Sequence, residues 1–291
     1  MNQANAHHLL SVNCDLGEGP LWHPSEHCLY WVDIEVGHIH KYFPGTKIHE
    51  TYQLGLSIGA LGFREQGGLI LATGQGFAFW DPKVGKLELL INPLAGKPGV
   101  RMNDGKVDPA GRFWAGSLDH SGNGALYRFD PDLSCHQILS KITISNGLDW
   151  SPDQKTFYYT DSADQAIYSF EYDQDSGCVK NRQIFVHIPS DISQIVPDGL
   201  AVDAEGYIWS ACWDGGKVIR YNPLGEAIFE LILPVSRVTS LTFGGENLEE
   251  LFITTASTGL NPEQLDKDPL AGDLFYYKTN TFGKPASFFR G

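Results

Sequence analysis

The sequence has no sustained helical periodicity. Apolar residues do not recur at three- and four-residue intervals over a helix length, and 32 glycines with 16 prolines would interrupt such a pattern. A helical bundle is thereby excluded. Long apolar runs are missing too: no stretch approaches the roughly 20 residues that span a bilayer, so no membrane partner is expected. The opening residues, MNQANAHHLLSVN, lack the basic start and apolar core of a secretory signal. Cysteine is sparse. Five residues (Cys14, Cys28, Cys135, Cys178 and Cys212), an odd number without a C-x-x-C pair, argue for reduced thiols in a cytoplasmic protein rather than a disulfide scaffold. Positive charge is in deficit: 21 Lys and Arg stand against 35 Asp and Glu, for a net charge of −14, so no nucleic-acid partner is expected. No linker or low-complexity tract divides the chain, and residues 1–291 are expected to form a single domain.

What the chain does contain is a unit repeated six times. Each copy opens on a turn leading into a short apolar strand: EGPLWHP from Glu18, NDGKVDP from Asn103, NGLDWSP from Asn146 and DGLAVDA from Asp198, with weaker copies GALGF from Gly59 and TSLTF from Thr239. A run rich in β-branched and aromatic residues follows: LYWVD (29–33), LILAT (69–73), FWAGS (113–117), FYYTD (157–161), IWSAC (208–212) and LFITT (251–255). A third strand-like segment closes the unit, as in FAFWDP (77–82), ALYRFDP (125–131) and KVIRYNP (217–223). The anchors Glu18, Gly59, Asn103, Asn146, Asp198 and Thr239 are spaced 41, 44, 43, 52 and 41 residues apart. Periods of about 40–50 residues built of short strands predict propeller blades, so the expected fold is all-β, a six-bladed β-propeller. The long interval predicts an insertion between Asp173 and Pro197, with DQDSG (173–177) as a hairpin tip, and NPEQLDKDPLAG from Asn261 reads as a loop. Ring closure is expected to use His8 to Asn13 as an outer strand of the last blade beside residues 285–290, because closure removes free sheet edges.

In a propeller the first strand of each blade lies nearest the central channel, so the six anchors should gather on one face. Asn, Asp and Gly at a strand entrance are common as turn residues. Turn chemistry does not select Glu18, however, nor does it predict carboxylates at equivalent positions. Two carboxylates and an amide oxygen converging on one spot would repel unless a cation lay between them, and such donors suit one divalent ion: Ca, Mg or Mn, with Zn and Fe(II) also able to use carboxylates.

The segments LGEGPLWHP (16–24), RMNDGKVDPAGRFWAGSLD (101–119), ISNGLDWSPD (144–153), PDGLAVDAEGYIWSACWDGGKVIRYNP (197–223) and SLTFGG (240–245) resemble the SMP-30/gluconolactonase/regucalcin family of sugar lactonases. The resemblance implies a six-bladed propeller whose divalent metal is held by Glu18, Asn146 and Asp198. It implies that Arg101 and Asn103 bind sugar hydroxyls. Animal members carry an acidic sugar contact where Ser121 stands here, and that role falls to Asp119, two residues earlier. The activity implied is metal-assisted hydrolysis of a small-molecule sugar lactone, with Asp198 orienting or deprotonating the attacking water. The alternatives are a calcium-binding regulatory propeller and a related esterase acting on other cyclic or activated esters.

Three further motifs have simpler readings. GLSIG (55–59) matches the G-x-S-x-G elbow of serine hydrolases, but it leads into a blade strand where that motif demands a helix. DQDSG resembles the start of a calcium loop, yet the twelfth position is Ile184 where a Glu is needed. His38 and His40 share one face of a strand and are expected to be a surface pair. The aromatic residues at 31, 114, 150, 158, 159 and 209 are expected to pack blade against blade.

Overall fold

The structure, a computed structural model, describes residues 1–188 and 195–291. Its strands form six sheets around a channel. Blade 1 contains Gly17–His23, Cys28–Asp33, His38–Phe43 and Ile48–Gln53 from the inside outwards. Blade 2 begins with Ile58–Phe63, blade 3 with Arg101–Val107, blade 4 with Ser145–Trp150, blade 5 with Val196–Val202 and blade 6 with Val238–Gly244. Every one of the six repeated segments thus begins a blade, and the β-branched runs form the second strands. The fold is a six-bladed β-propeller.

Antiparallel neighbours joined by short turns explain the alternation of apolar strands with Gly, Asp and Asn. Inner and second strands are buried on both faces, because each sheet packs against two neighbours; the outer strands are largely exposed. The buried apolar side chains sort into six clusters, one at each interface between blades. Trp114 of blade 3 meets Trp150 of blade 4 edge-on at 5.7 Å, and Trp209 of blade 5 meets Phe243 of blade 6 at 5.9 Å. The expected blade-to-blade role of these aromatics holds.

Both chain ends cross between blades. Residues His7–Leu10 form the outer strand of blade 6, as expected, but pair antiparallel with Leu274–Lys278 instead of 285–290. Upstream of them, Asn2–Asn5 pairs parallel with Ala227–Ile232 as a fifth strand on blade 5. The C-terminal tail runs from blade 6, where Gly283 N–H donates to Leu248 O, to blade 2, where Phe289 N–H donates to Phe63 O. It closes the channel mouth at the far ends of the inner strands. Between tail and inner strands lies a cavity of about 440 Å³. Lys284 reaches into it and donates to Asp149 Oδ1 at 2.9 Å and to Trp150 O, while Lys106 donates to Asp149 Oδ2 at 3.2 Å.

Two local expectations change. The segment from Asn261 contains a short helix, Pro262–Lys267, because Asn261 and Gln264 form a reciprocal capping box and proline follows the cap. His40 is buried, stacked 4.9 Å from the Trp31 ring, so the two histidines are not a surface pair. The DQDSG tip is a hairpin turn between Ala166–Asp173 and Cys178–His187. Its carbonyls are occupied: Arg112 donates to Gln174 O and Asp175 O, and Arg128 to Ser176 O and Gly177 O. The rest of the expected insertion lies partly outside the described residues. Among them, no helix is long and apolar enough to cross a membrane.

Candidate metal and substrate site

Every inner strand carries a register irregularity at the anchor residue. The pairing skips from Glu18 to Leu21, Ile58 to Ala60, Met102 to Gly105, Ser145 to Leu148, Pro197 to Leu200 and Val238 to Ser240. A β-bulge adds an unpaired residue, bends the strand and re-aims the local side chains. That is why one position of the repeat can serve a shared centre.

The bulges bring Glu18, Asn103, Asn146 and Asp198 together, all buried. Asn103 Nδ2–H donates to Asn146 Oδ1 at 3.0 Å and to Ser145 O at 2.7 Å. Asn146 Nδ2–H donates to Ser162 Oγ at 2.9 Å, and Ser162 in turn donates to Pro197 O at 2.7 Å, just before Asp198. These bonds fix the orientation of the Asn146 amide. Arg101 Nη1–H donates to Asn103 Oδ1 at 2.5 Å, which links the mouth to the centre.

Electrostatically the cluster is under-compensated. Burial, and then the nearby charge of Asp104, push the Glu18 carboxyl up to about 8. Burial followed by the charges of Glu18 and Asp104 hold Asp198 well above the ordinary carboxylate range. Burial likewise pushes Asp104 up to about 6, against Lys106. The charge of Arg101 lowers Glu18 and Asp198 without offsetting their burial and mutual repulsion, and its own pKa is lowered by burial. Asp198 Oδ1 is buried without a hydrogen-bond partner among the described residues. Leaving such an atom unpaired costs about 1–3 kcal/mol, more for a charged group. An orphaned carboxylate oxygen beside a second carboxylate and an oriented amide oxygen is a donor set that fits a divalent cation.

Arg101 Nε–H also pairs with Glu35 Oε1 at 2.9 Å, reaching from blade 3 to the turn after the second strand of blade 1. Asp119 follows Phe113–Leu118, whose Leu118 pairs with Arg101; its Oδ1 accepts from Ser121 N–H at 2.8 Å and Ser121 Oγ–H at 2.5 Å. Gly59 and Thr239, the anchors without a ligand atom of this kind, serve packing. A Cβ on Gly59 would lie 2.5 Å from Asn103 O, so glycine lets blade 2 approach blade 3. Thr239 Oγ1 donates to Gly17 O at 2.5 Å, tying blade 6 to blade 1.

Sequence reasoning missed Asp104 and Glu35. Asp104 adjoins Asn103, and on a regular strand neighbours face opposite sides; only the bulge brings both inward. Glu35 carries no repeat signal, since loops facing across the mouth follow no register. Ser57 of GLSIG lies in the loop before Ile58–Phe63, with no helix after it.

A family model described as "SMP-30/Gluconolactonase/LRE-like region" matches residues 16–257. The chain belongs to this family. Human regucalcin is 36% identical over 276 residues, 92% of each chain. Among solved structures, a regucalcin from Agrobacterium tumefaciens described as a calcium-binding protein superposes with a TM-score of 0.95, at 25% identity over 100% of this chain and 99% of the other. A luciferin-regenerating enzyme superposes with a TM-score of 0.88, at 27% identity over 96% of each chain.

Proposed function

We propose that the chain is a divalent-metal-dependent lactonase that opens sugar aldonolactones, of the gluconolactone or pentonolactone type, to aldonic acids. One observation carries this reading. Two buried carboxylates, one with an orphaned oxygen, share a buried cluster with Asn146 and Asn103, and a hydrogen-bonded chain links these amides to Arg101, whose charge both carboxylates feel. Membership of a family named for gluconolactonase supports the same assignment.

Glu18, Asn146 and Asp198 would hold the ion: Ca, Zn, Mn, Mg or Fe(II). When bound, the metal supplies a Lewis acid that stabilises the negative charge developing on the lactone carbonyl oxygen. Asp198 orients a water and accepts its proton as the water oxygen bonds to the acyl carbon. The ring C–O bond then breaks and the departing alkoxide takes up the proton. Arg101 donates to the polyol hydroxyls. Asn103 holds the Asn146 amide and offers its carbonyl oxygen to the substrate, and Asp119 adds an acceptor through Oδ2. The unpaired cysteines suit a reducing compartment, so we place the protein in the cytoplasm.

A calcium-binding regulatory role is the second reading, supported by the description of the Agrobacterium relative. A regulator needs the carboxylates but has no use for an arginine poised beside them. The deciding experiment is acid release from a panel of hexono- and pentonolactones, a non-sugar lactone and an activated ester, after chelation and readdition of single metals. Metal-restored hydrolysis of sugar lactones is expected. Silence across the panel with every ion would remove the lactonase reading, and turnover of the non-sugar esters alone would favour the esterase.

A further inference from the structure

Blade 1 contains a second constellation that the channel chemistry does not use. Cys14, Asp33 and His40 are all buried, and a thiol, a carboxylate oxygen and a ring nitrogen from them lie within 4.8 Å of one another. Cys14 Sγ is 3.8 Å from His40 Nε2. The other ring nitrogen, His40 Nδ1, is 3.0 Å from His49 Nε2 and 3.2 Å from Thr51 Oγ1, so outer partners orient the ring with Nε2 towards the thiol. Such support is the usual second layer of a metal-bound imidazole.

The internal repeat provides a control for the bland explanation, ordinary core packing. Asp33 has a duty inherent in the fold: it accepts N–H groups of Asp15 and Leu16, as Asp161 of blade 4 accepts those of Thr143 and Ile144. Cys14 and His40 have no such counterpart. The residue paired with Trp31 is His40, and the equivalent positions in blades 2 to 6 hold Ala78, Tyr127, Tyr168, Ile219 and Phe275. Four residues before the anchor, where Cys14 stands, blade 4 has buried Ile142 and blade 6 buried Val235. Where these positions are buried in other blades they hold apolar or aromatic side chains, yet here a thiol and an imidazole meet beside a carboxylate.

We propose that Cys14, Asp33 and His40 form a second metal site, for a borderline transition ion such as Zn²⁺. Thiolate and imidazole favour zinc over the hard ions that an all-oxygen centre accepts, so the two sites differ in hardness. Cys14 gives up its proton to solvent on binding, and each Asp33 oxygen retains a lone pair beyond its N–H bond. Water completes the fourth position. Cys14 lies on the segment between the outer strand of blade 6 and the inner strand of blade 1, whereas Asp33 and His40 belong to strands of blade 1. The ion is therefore a staple on ring closure.

Cobalt(II) added to the metal-depleted full chain is the test. A thiolate-to-cobalt charge-transfer band in the near ultraviolet, displaceable by zinc, is expected in the native protein and in the Glu18→Gln/Asp198→Asn double variant. Cys14→Val and His40→Tyr place in blade 1 the residue types found in other blades, which keeps the fold. Cys14→Val should abolish the band, and His40→Tyr should weaken cobalt binding. Zinc should raise the unfolding midpoint of the double variant and leave that of the Glu18→Gln/Asp198→Asn/Cys14→Val triple variant unchanged. Absence of the band from the native protein, or its persistence in Cys14→Val, would overturn the site without touching the lactonase reading.

Discussion

At the scale of single residues, the centre is organised by what each side chain is prevented from doing. Asn146 is held by Ser162 and Asn103, and Asp198 keeps an oxygen with no partner among the described residues. Asp198→Ala should abolish lactone turnover while the β-rich circular dichroism spectrum stays intact; retained turnover would remove Asp198 from the mechanism. Glu18 makes the site pH-sensitive. Its folded pKa of about 8 exceeds the ordinary 4.5, so between these values the folded state binds more protons than the unfolded one. Stability of the metal-free protein therefore falls as pH rises through this window. A divalent ion competes with those protons, so the rise in melting temperature on adding metal should grow from about pH 5 to pH 8 by thermal-shift measurement. Glu18→Gln should flatten that dependence. Glu18, Asn103, Asn146 and Asp198 were legible because they occupy one position of a unit repeated six times. Asp104 and Glu35 were not, since one depends on a local break in strand alternation and the other on a loop reaching from blade 1 towards blade 3.

At the scale of elements, stability lies between sheets more than within them. Trp114 is fully buried, donates to Asp108 Oδ2 at 2.9 Å and packs on Trp150 and Phe157 of the next blade. Trp114→Ala should cost about 3–5 kcal/mol in urea unfolding, the range for a large buried aromatic. The short helix offers the contrast. Pro262–Lys267 buries no residue, so Asn261→Ala, which removes the capping-box bond from Gln264 N–H to Asn261 Oδ1, should cost no more than about 1 kcal/mol in the same measurement. The box itself was written in the sequence as Asn261 and Gln264 three residues apart. Glycine and proline density nearby favoured a loop, and a six-residue helix has too few turns for periodicity to reveal it.

At the scale of the whole molecule, closure depends on contacts between distant parts of the chain. The first ten residues supply the outer strand of blade 6 and the extra strand of blade 5, while the tail covers the far mouth and anchors on blade 2. A ring held by its first residues loses an edge pairing when they are removed. Deletion of residues 2–10 should lower the thermal midpoint and broaden the transition, and an unchanged midpoint would show that the N-terminal strands are dispensable. The expected partner of the N-terminal strand, 285–290, was wrong for a physical reason. The segment 273–278 already had the pattern of a third strand, so the incoming N-terminus adds outside it. The tail, with little strand character, is then free to cross the channel and bury Lys284 against Asp149. No local signal in 283–290 specifies that crossing.

The sequence by itself determined the number of blades, the strand order within them and the anchor position, because these follow from local patterns repeated six times. Tertiary structure decided what those anchors became. Bulges divided them into buried carboxylates and amides on one side and packing positions on the other, and the chain ends decided how the ring shut. The division has a physical basis: strand period and turn chemistry act over a few residues, whereas burial, charge repulsion and the pairing of an arginine with a glutamate exist only once the ring brings distant blades together.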